Sequence, residues 1–245
     1  AYETNNHALT LALRGREQLL EARIGYQDTP FQGYPNQRMD MTDNRQQRIN
    51  LRYLGELSFG TLEARAYHED IEHRMDFGPD RRYWYGTNSG MGSPCAPIRF
   101  MGDPAGTCAA GMPMNSDSTN SGISVHLDLP LQGADLARLG AEFMSYRLDD
   151  YWPASGGGMG PGTFTNIEDG QRDRNSLFAE WEAHPADQWT TTVGLRYEHV
   201  RSDTGDVHGY STANMAMGNQ AAEAAAFNAL VHARNDDNWN FAASA

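Results

Sequence analysis

The chain has 245 residues and a formal net charge of -13, and each of its 19 basic side chains is an arginine. So acidic a chain offers no basic surface for a phosphate backbone, which excludes nucleic acid as a partner. No apolar run approaches the ~20 residues that a membrane-crossing helix needs, and the two cysteines form neither a CxxC nor a Cys/His zinc spacing.

The first residues, Ala1-Tyr2-Glu3-Thr4-Asn5-Asn6, carry no basic n-region and no apolar h-region, so no signal peptide is expected within this sequence. From there the dominant signal is strict alternation of apolar and polar residues, the period of a strand with two unlike faces. In 7–14, Leu9, Leu11 and Leu13 alternate with Thr10, Ala12 and Arg14; in 19–27, Leu20, Ala22, Ile24 and Tyr26 alternate with Glu21, Arg23 and Gln27. In 46–54, Ile49, Leu51 and Tyr53 are interleaved with Arg48, Asn50 and Arg52, and in 61–75 the series Leu62, Ala64, Ala66 faces away from Glu63, Arg65, Tyr67. The pattern returns at Ile123–Leu129, at Leu139–Phe143, at Leu177–Trp181 and at Thr191–Tyr197. A ninth strand is expected to start near Asn238.

The connections alternate in kind. Short turns are expected at Arg14-Gly15-Arg16-Glu17, at Glu56-Leu57-Ser58-Phe59-Gly60, at Gln132-Gly133-Ala134-Asp135 and at Pro185-Ala186-Asp187-Gln188. Between them lie the segments 28–45, 76–119, 151–172 and 203–236, rich in Gly, Pro, Asn, Asp and Met and read as irregular loops. Ala221 to Ala226 suggests one helical turn inside the last of these. Short turns at one rim and long loops at the other fit an outer-membrane barrel better than a compact soluble domain. In lipid every backbone amide must be paired within the protein, so strands close into a barrel with one face on hydrocarbon and the other on a polar lumen. The expected fold is therefore all-β: an antiparallel transmembrane β-barrel segment of about nine strands, with short periplasmic turns and long extracellular loops. A soluble all-β binding or adhesion module would show the same alternation per strand and remains the alternative of another class. Aromatic residues near strand ends, among them Tyr26, Phe31, Tyr34, Tyr83, Trp84, Tyr85, Tyr151, Trp152 and Trp189, suit an interfacial girdle.

Cys95 and Cys108 flank a short Gly/Pro/Met-rich stretch. Such a pair reads as a disulfide in an oxidising compartment, with metal-binding thiolates as the other reading. Nine methionines fall in the loop segments: Met39, Met41, Met91, Met101, Met112, Met114, Met159, Met215 and Met217. Methionine ordinarily fills cores, so thioethers in loops either pack those loops or offer transient contacts to soft metals. The glycine run at 156–162 lacks the Lys-Ser/Thr of a phosphate loop. No carboxylate pair and no Ser-His-Asp order points to catalysis; the chain is not read as an enzyme, and no catalytic cofactor is expected.

Several stretches carry a family resemblance: Gly33-Tyr34-Pro35-Asn36-Gln37-Arg38-Met39-Asp40-Met41, Thr61-Leu62-Glu63-Ala64-Arg65-Ala66-Tyr67, His73-Arg74-Met75-Asp76-Phe77-Gly78, Met112-Pro113-Met114-Asn115, Arg147-Leu148-Asp149-Asp150-Tyr151-Trp152-Pro153 and Asp173-Arg174-Asn175-Ser176-Leu177-Phe178-Ala179-Glu180-Trp181-Glu182. They resemble the barrel of TonB-dependent outer-membrane receptors, most of all the copper receptor branch. The resemblance implies residence in the cell outer membrane of a Gram-negative bacterium, in contact with outer-membrane lipid. It implies a 22-strand barrel around an N-terminal plug, of which residues 1–245 would supply about nine strands and neither the plug nor the TonB box. Partnership with the TonB complex would then run through that missing region. The implied function is binding and import of copper as the transported ligand, with a ferric siderophore or another metal chelate as the alternative cargo.

In copper receptors a His-x-Met pair on a barrel strand holds copper together with a Cys and a Met of the plug, and His73-Arg74-Met75 matches the barrel half. Strand parity supports this independently. His73 and Met75 share parity with Glu63, Arg65 and Glu69, so both face the lumen if the strand is regular. An imidazole and a thioether two residues apart can reach one ion, and the thioether favours Cu(I).

Overall fold

A computed structural model describes residues 2–34, 39–76, 83–84, 93–94, 113–154, 162–186, 188–210 and 220–245. Cys95 and Cys108 lie outside these residues, as do Met91, Met101, Met112, Met159, Met215 and Met217.

The long strands are β1 (Tyr2–Arg14), β2 (Gln18–Gln32), β3 (Asp40–Leu57), β4 (Gly60–Asp76), β7 (Met114–Pro130), β8 (Leu136–Trp152), β9 (Phe164–Ala186), β10 (Trp189–Asp203) and β11 (Arg234–Ser244). Two-residue strands β5 (Tyr83–Trp84) and β6 (Ser93–Pro94) pair with each other, and one helix, α1, spans Gln220–Asn228. The nine long strands make one antiparallel sheet in the order β1-β2-β3-β4-β7-β8-β9-β10-β11, a meander in which every strand pairs with its neighbour in sequence. The described strands β1 and β11 form its two edges. Among the described residues no helix is long and apolar enough to cross a membrane.

Register turns the alternation within each strand into continuous faces. Leu9 pairs with Ile24 and Ile24 with Ile49. Ala66 pairs with Ile123 and Ile123 with Phe143, Ala141 with Leu177, and Leu195 with Phe241. Cross-strand partners project to the same side, so these residues build one apolar face across the whole sheet. It is uncovered: Leu11 is 60% exposed, Leu177 60% and Phe241 72%. Among the described residues the other sheet is the pair of two-residue strands β5 and β6, too small to cover it. An apolar surface of this extent is uncovered only where something other than water meets it.

The opposite face is charged. Glu63 accepts from Arg52 at 2.5 Å and from Arg65 at 2.9 Å. Arg138 donates to Glu180 at 2.5 Å and to Glu182 at 2.8 Å, and Arg196 meets Glu142 at 2.5 Å. The first two clusters join neighbouring strands and the Arg196–Glu142 pair reaches from β10 to β8 across β9, so the arginines brace the sheet across its polar side. Turn chemistry closes the short connections. Gly133 adopts φ +75, a left-handed value open to glycine, in the turn between β7 and β8. A Cβ on Gly60, where β4 begins, would stand 2.0 Å from the Asp128 carbonyl oxygen of β7.

Three sequence expectations need correction at the long-loop side. The segments 28–45, 76–119, 151–172 and 203–236 are not irregular throughout. β2 runs to Gln32, β3 begins at Asp40, β7 at Met114 and β9 at Phe164. The last strand starts at Arg234 rather than near Asn238, and the expected single helical turn is the helix Gln220–Asn228. The cause is visible on β4. Its outward series runs Leu62, Ala64, Ala66 and then His68, Asp70, Glu72, Arg74. The ladder to β7 continues without a break and that to β3 runs unbroken as far as the bulge between Met41 and Asp43, but beyond Ala66 the outward face turns polar and the hydropathy signal disappears.

Candidate metal-binding wall

β4 carries the candidate ligands. It stays hydrogen-bonded on both sides to its end, with His73 opposite Asn44 of β3 and Ser116 of β7. The alternation therefore holds through residue 75, and His73 and Met75 share the polar face with Glu63 and Arg65, as their parity predicts. Arg74, between them, points the other way. Its guanidinium meets Asp117 at 2.6 Å and also donates to the Ser116 carbonyl at 3.2 Å. Thr42 donates to the Arg74 carbonyl at 3.4 Å. These bonds fix the backbone on both sides of the pair.

The imidazole is oriented by a neighbour. His73 Nδ1 lies 2.9 Å from Asn44 Oδ1. A carboxamide oxygen only accepts, so Nδ1 carries the proton and Nε2 presents a lone pair. Among the described residues nothing pairs with Nε2. His73 stands beyond the apolar band, where burial, helped by the Arg74 charge, lowers its pKa from the ordinary imidazole value. The ring is thus neutral near pH 7, the state in which imidazole ligates metals.

One register row nearer the long-loop rim, Met75 pairs with Met41 of β3 on one side and Met114 of β7 on the other. A β-bulge lies between Met41 and Asp43 and brings Met41 into this row. Met41 is buried at 6% exposure, while Met75 and Met114 are half-buried. The sequence places Met41 and Met114 in separate loop segments; only the register joins them to Met75. Asn44 likewise has no local signal. No group of three or more His, Cys, Asp or Glu among the described residues could hold a metal ion.

A second feature sits at the same rim. Trp152 stacks on Phe164 at 5.2 Å between ring centroids, and Phe164 meets Tyr210 at 5.4 Å. Burial pushes the Tyr210 hydroxyl up to about 12, and that hydroxyl has no hydrogen-bond partner among the described residues. Beside this cluster, a cavity of about 300 Å³ opens between the start of β9, residues 207–209 and α1, lined by Phe164, Val207, His208, Glu223 and Phe227. Helix α1 is tied down by Asn228, which accepts from Val207 N at 2.8 Å and donates to Val207 O at 3.0 Å. His232 places Nδ1 2.9 Å from the Thr204 carbonyl and Nε2 2.9 Å from the Phe227 carbonyl. Those two acceptors, Phe227 first, raise its pKa.

Comparison with known proteins agrees with this architecture. The profile of the family described as TonB dependent receptor-like, beta-barrel matches residues 2–245. A search of curated proteins returns no match. Among solved structures, the one named "Copper transporter OprC" superimposes with a TM-score of 0.68 at 14% sequence identity, covering 98% of this chain and 34% of that one. The chain thus spans about a third of the length of that protein, and at this identity the likeness is one of fold.

Proposed function

We propose that this chain, which belongs to the TonB-dependent receptor β-barrel family, forms part of the wall of an outer-membrane receptor that captures and imports copper. The observation that carries the reading is the wall pair itself. His73 offers Nε2, fixed by Asn44, and Met75 offers a thioether on the same face of the same strand. A neutral imidazole beside a thioether suits copper, and Cu(I) above the harder divalent ions. The similarity in fold to a protein named as a copper transporter points the same way.

In this reading the uncovered apolar face meets outer-membrane lipid, the arginine–glutamate face lines the lumen, and the long-loop rim faces outward. Residues 1–245 act as a partial barrel domain. Coupling to the TonB complex runs through a plug domain outside these residues. A metal chelate is the second cargo reading, favoured by the aromatic-lined cavity of about 300 Å³ at the rim.

The test is copper binding by the full-length receptor in detergent, compared with a His73→Ala, Met75→Ala variant. The expected result is a loss of affinity of at least about tenfold, the scale on which changes near a metal shell are felt. Unchanged affinity would remove both residues from the site. Retained binding of a ferric chelate by the same variant, without binding of copper alone to the unaltered receptor, would favour the chelate reading.

A further inference from the structure

Four arginines crowd the polar face of β2, β3 and β4 below the level of His73: Arg23, Arg48, Arg52 and Arg65. Glu63 holds two of them, Arg52 at 2.5 Å and Arg65 at 2.9 Å. Arg23 and Arg48 make no ion pair and no side-chain hydrogen bond among the described residues. Glu69, opposite Arg48 in register, accepts from Gln46 instead. The other half of the sheet is arranged differently, since Arg138, Arg174 and Arg196 each stand beside a glutamate. Arg23 pairs in register with Asn50, so Arg48 is its diagonal neighbour, with Cβ atoms roughly 7 Å apart. Like charges so placed repel each other. A polar face does not need them, because serine or asparagine would be polar without the repulsion.

Two glycines shape the space around the pair. A Cβ on Gly25 would stand 3.1 Å from Arg48 Nε, so the bare glycine lets Arg48 lie over β2, the strand that carries Arg23. A Cβ on Gly122 would stand 2.6 Å from the Tyr67 ring, which leans onto β7 and donates to Asn120 at 3.3 Å. Arg48 and Tyr67 thus lean in opposite directions, and a hollow of about 720 Å³ opens between them over Asn50. A second hollow, of about 260 Å³, lies on the β1 side of the same two arginines. Among the described residues that line either hollow, Glu21 is the one carboxylate, against four arginines.

We propose that Arg23 and Arg48 form a seat for a carboxylate on the lumen wall. Each guanidinium presents a planar fork of N–H donors, and a carboxylate between them accepts from both. Its charge also cancels part of their repulsion, which a neutral ligand would not do. The seat stands apart from the metal ligands: Glu69, in the register row of Arg48, lies about 13 Å along β4 from His73. A bare cation moving from His73 toward the short turns would meet two uncompensated positive charges; with a carboxylate seated, the wall there is closer to neutral. The carboxylate comes from a free small anion or from an Asp or Glu side chain of the plug domain, and the chemistry of the seat is the same for both. The inference rests on the barrel reading for calling this face the lumen, and the nature of the cargo does not enter.

The experiment uses the full-length receptor in detergent and citrate as the probe, with affinity measured by titration calorimetry and stability by thermal unfolding. With a free anion as the occupant, citrate binds the unaltered receptor, added salt weakens it, and Arg23→Gln, Arg48→Gln lowers its affinity at least about tenfold. With a plug carboxylate as the occupant, citrate does not bind. The double variant then lowers the melting temperature by about 2 °C or more, and lysine at both positions restores part of the loss. Were the two arginines unoccupied, removing their repulsion would leave the melting temperature unchanged or raise it. That result, together with no citrate binding, overturns the seat. Citrate binding that the double variant keeps at full strength overturns it as well, and so does a fall in melting temperature that lysine does not restore. Should the double variant fail to fold, each single substitution must still weaken citrate or lower the melting temperature; if neither does, the seat is refuted. Loss or retention of copper binding at His73 and Met75 changes none of these outcomes.

Discussion

The same strands behave differently along their length. Near the short turns, β4 presents Leu62, Ala64 and Ala66 outward and Glu63 and Arg65 inward; toward the long loops it presents Asp70, Glu72 and Arg74 outward and His73 and Met75 inward. The backbone ladder is the same in both halves. What changes is the medium each outer face is built to meet. The lower half is specified by apolar burial against lipid. The upper half, roughly 25 Å of strand at about 3.3 Å per residue, lacks that apolar outer face and is held by its hydrogen-bond ladder, by ion pairs and by a few buried side chains such as Met41 and Tyr210. In such a region hydropathy no longer dictates each side chain, and ligands can be placed in it at little cost to the fold.

That contrast can be broken most directly by moving a charge into the band. Val125→Arg, outward on β7, is expected to destabilise the lipid-embedded protein by about 2–4 kcal/mol, whereas Thr119→Arg on the same face of the same strand should stay within about 0.5 kcal/mol. Denaturant titration in lipid vesicles measures both. Equal effects would mean that the upper half is not outside the hydrocarbon.

A smaller effect sharpens the functional side. Asn44→Leu removes the acceptor that holds His73 Nδ1–H and should lower copper affinity about tenfold, or about 1.4 kcal/mol. Asn44→Asp keeps an acceptor oxygen and should restore most of it. A loss that the aspartate does not rescue would reduce Asn44 to a packing role. Smaller still is the lumen brace. Arg138→Ala removes the arginine partner of Glu180 and Glu182, but the three side chains are a quarter to a third exposed, and solvent screening holds the cost to about 1 kcal/mol or below in the same denaturant assay.

The smallest effect concerns the rim. His232 donates to two carbonyls at once only as the imidazolium, which is why its pKa is raised. The sign follows. The tether is complete below the ordinary imidazole value of about 6.5 and is lost as pH rises through the raised one. Amide exchange in α1 should therefore quicken relative to the strands across that upper range, and His232→Gln should abolish the dependence. A flat profile in the unaltered protein would show that the helix is held by Asn228 and Gln220 without His232.

Much of the lower half was legible in the sequence because a lipid-facing strand must alternate. Leu9-Leu11-Leu13 and Ile123-Val125-Leu127 declare both strand and face without a structure. The same parity, carried up β4, assigned His73 and Met75 to the lumen side. The upper half was not legible as strand. Stretches such as Ser116-Asp117-Ser118-Thr119-Asn120-Ser121 are polar on both faces, and a hydrogen-bond ladder between polar residues leaves no period to read.

By itself, then, the sequence determined the antiparallel strands, their two unlike faces, the alternation of short and long connections, and the common face of His73 and Met75. Those features follow from local periodicity and from residue chemistry within one strand. Only the tertiary structure decided that Asn44 orients His73 and that Met41 and Met114 stand beside Met75. Register between strands depends on where each turn closes and where the bulge after Met41 falls, and residues separated by tens of positions acquire a common site only once those are set.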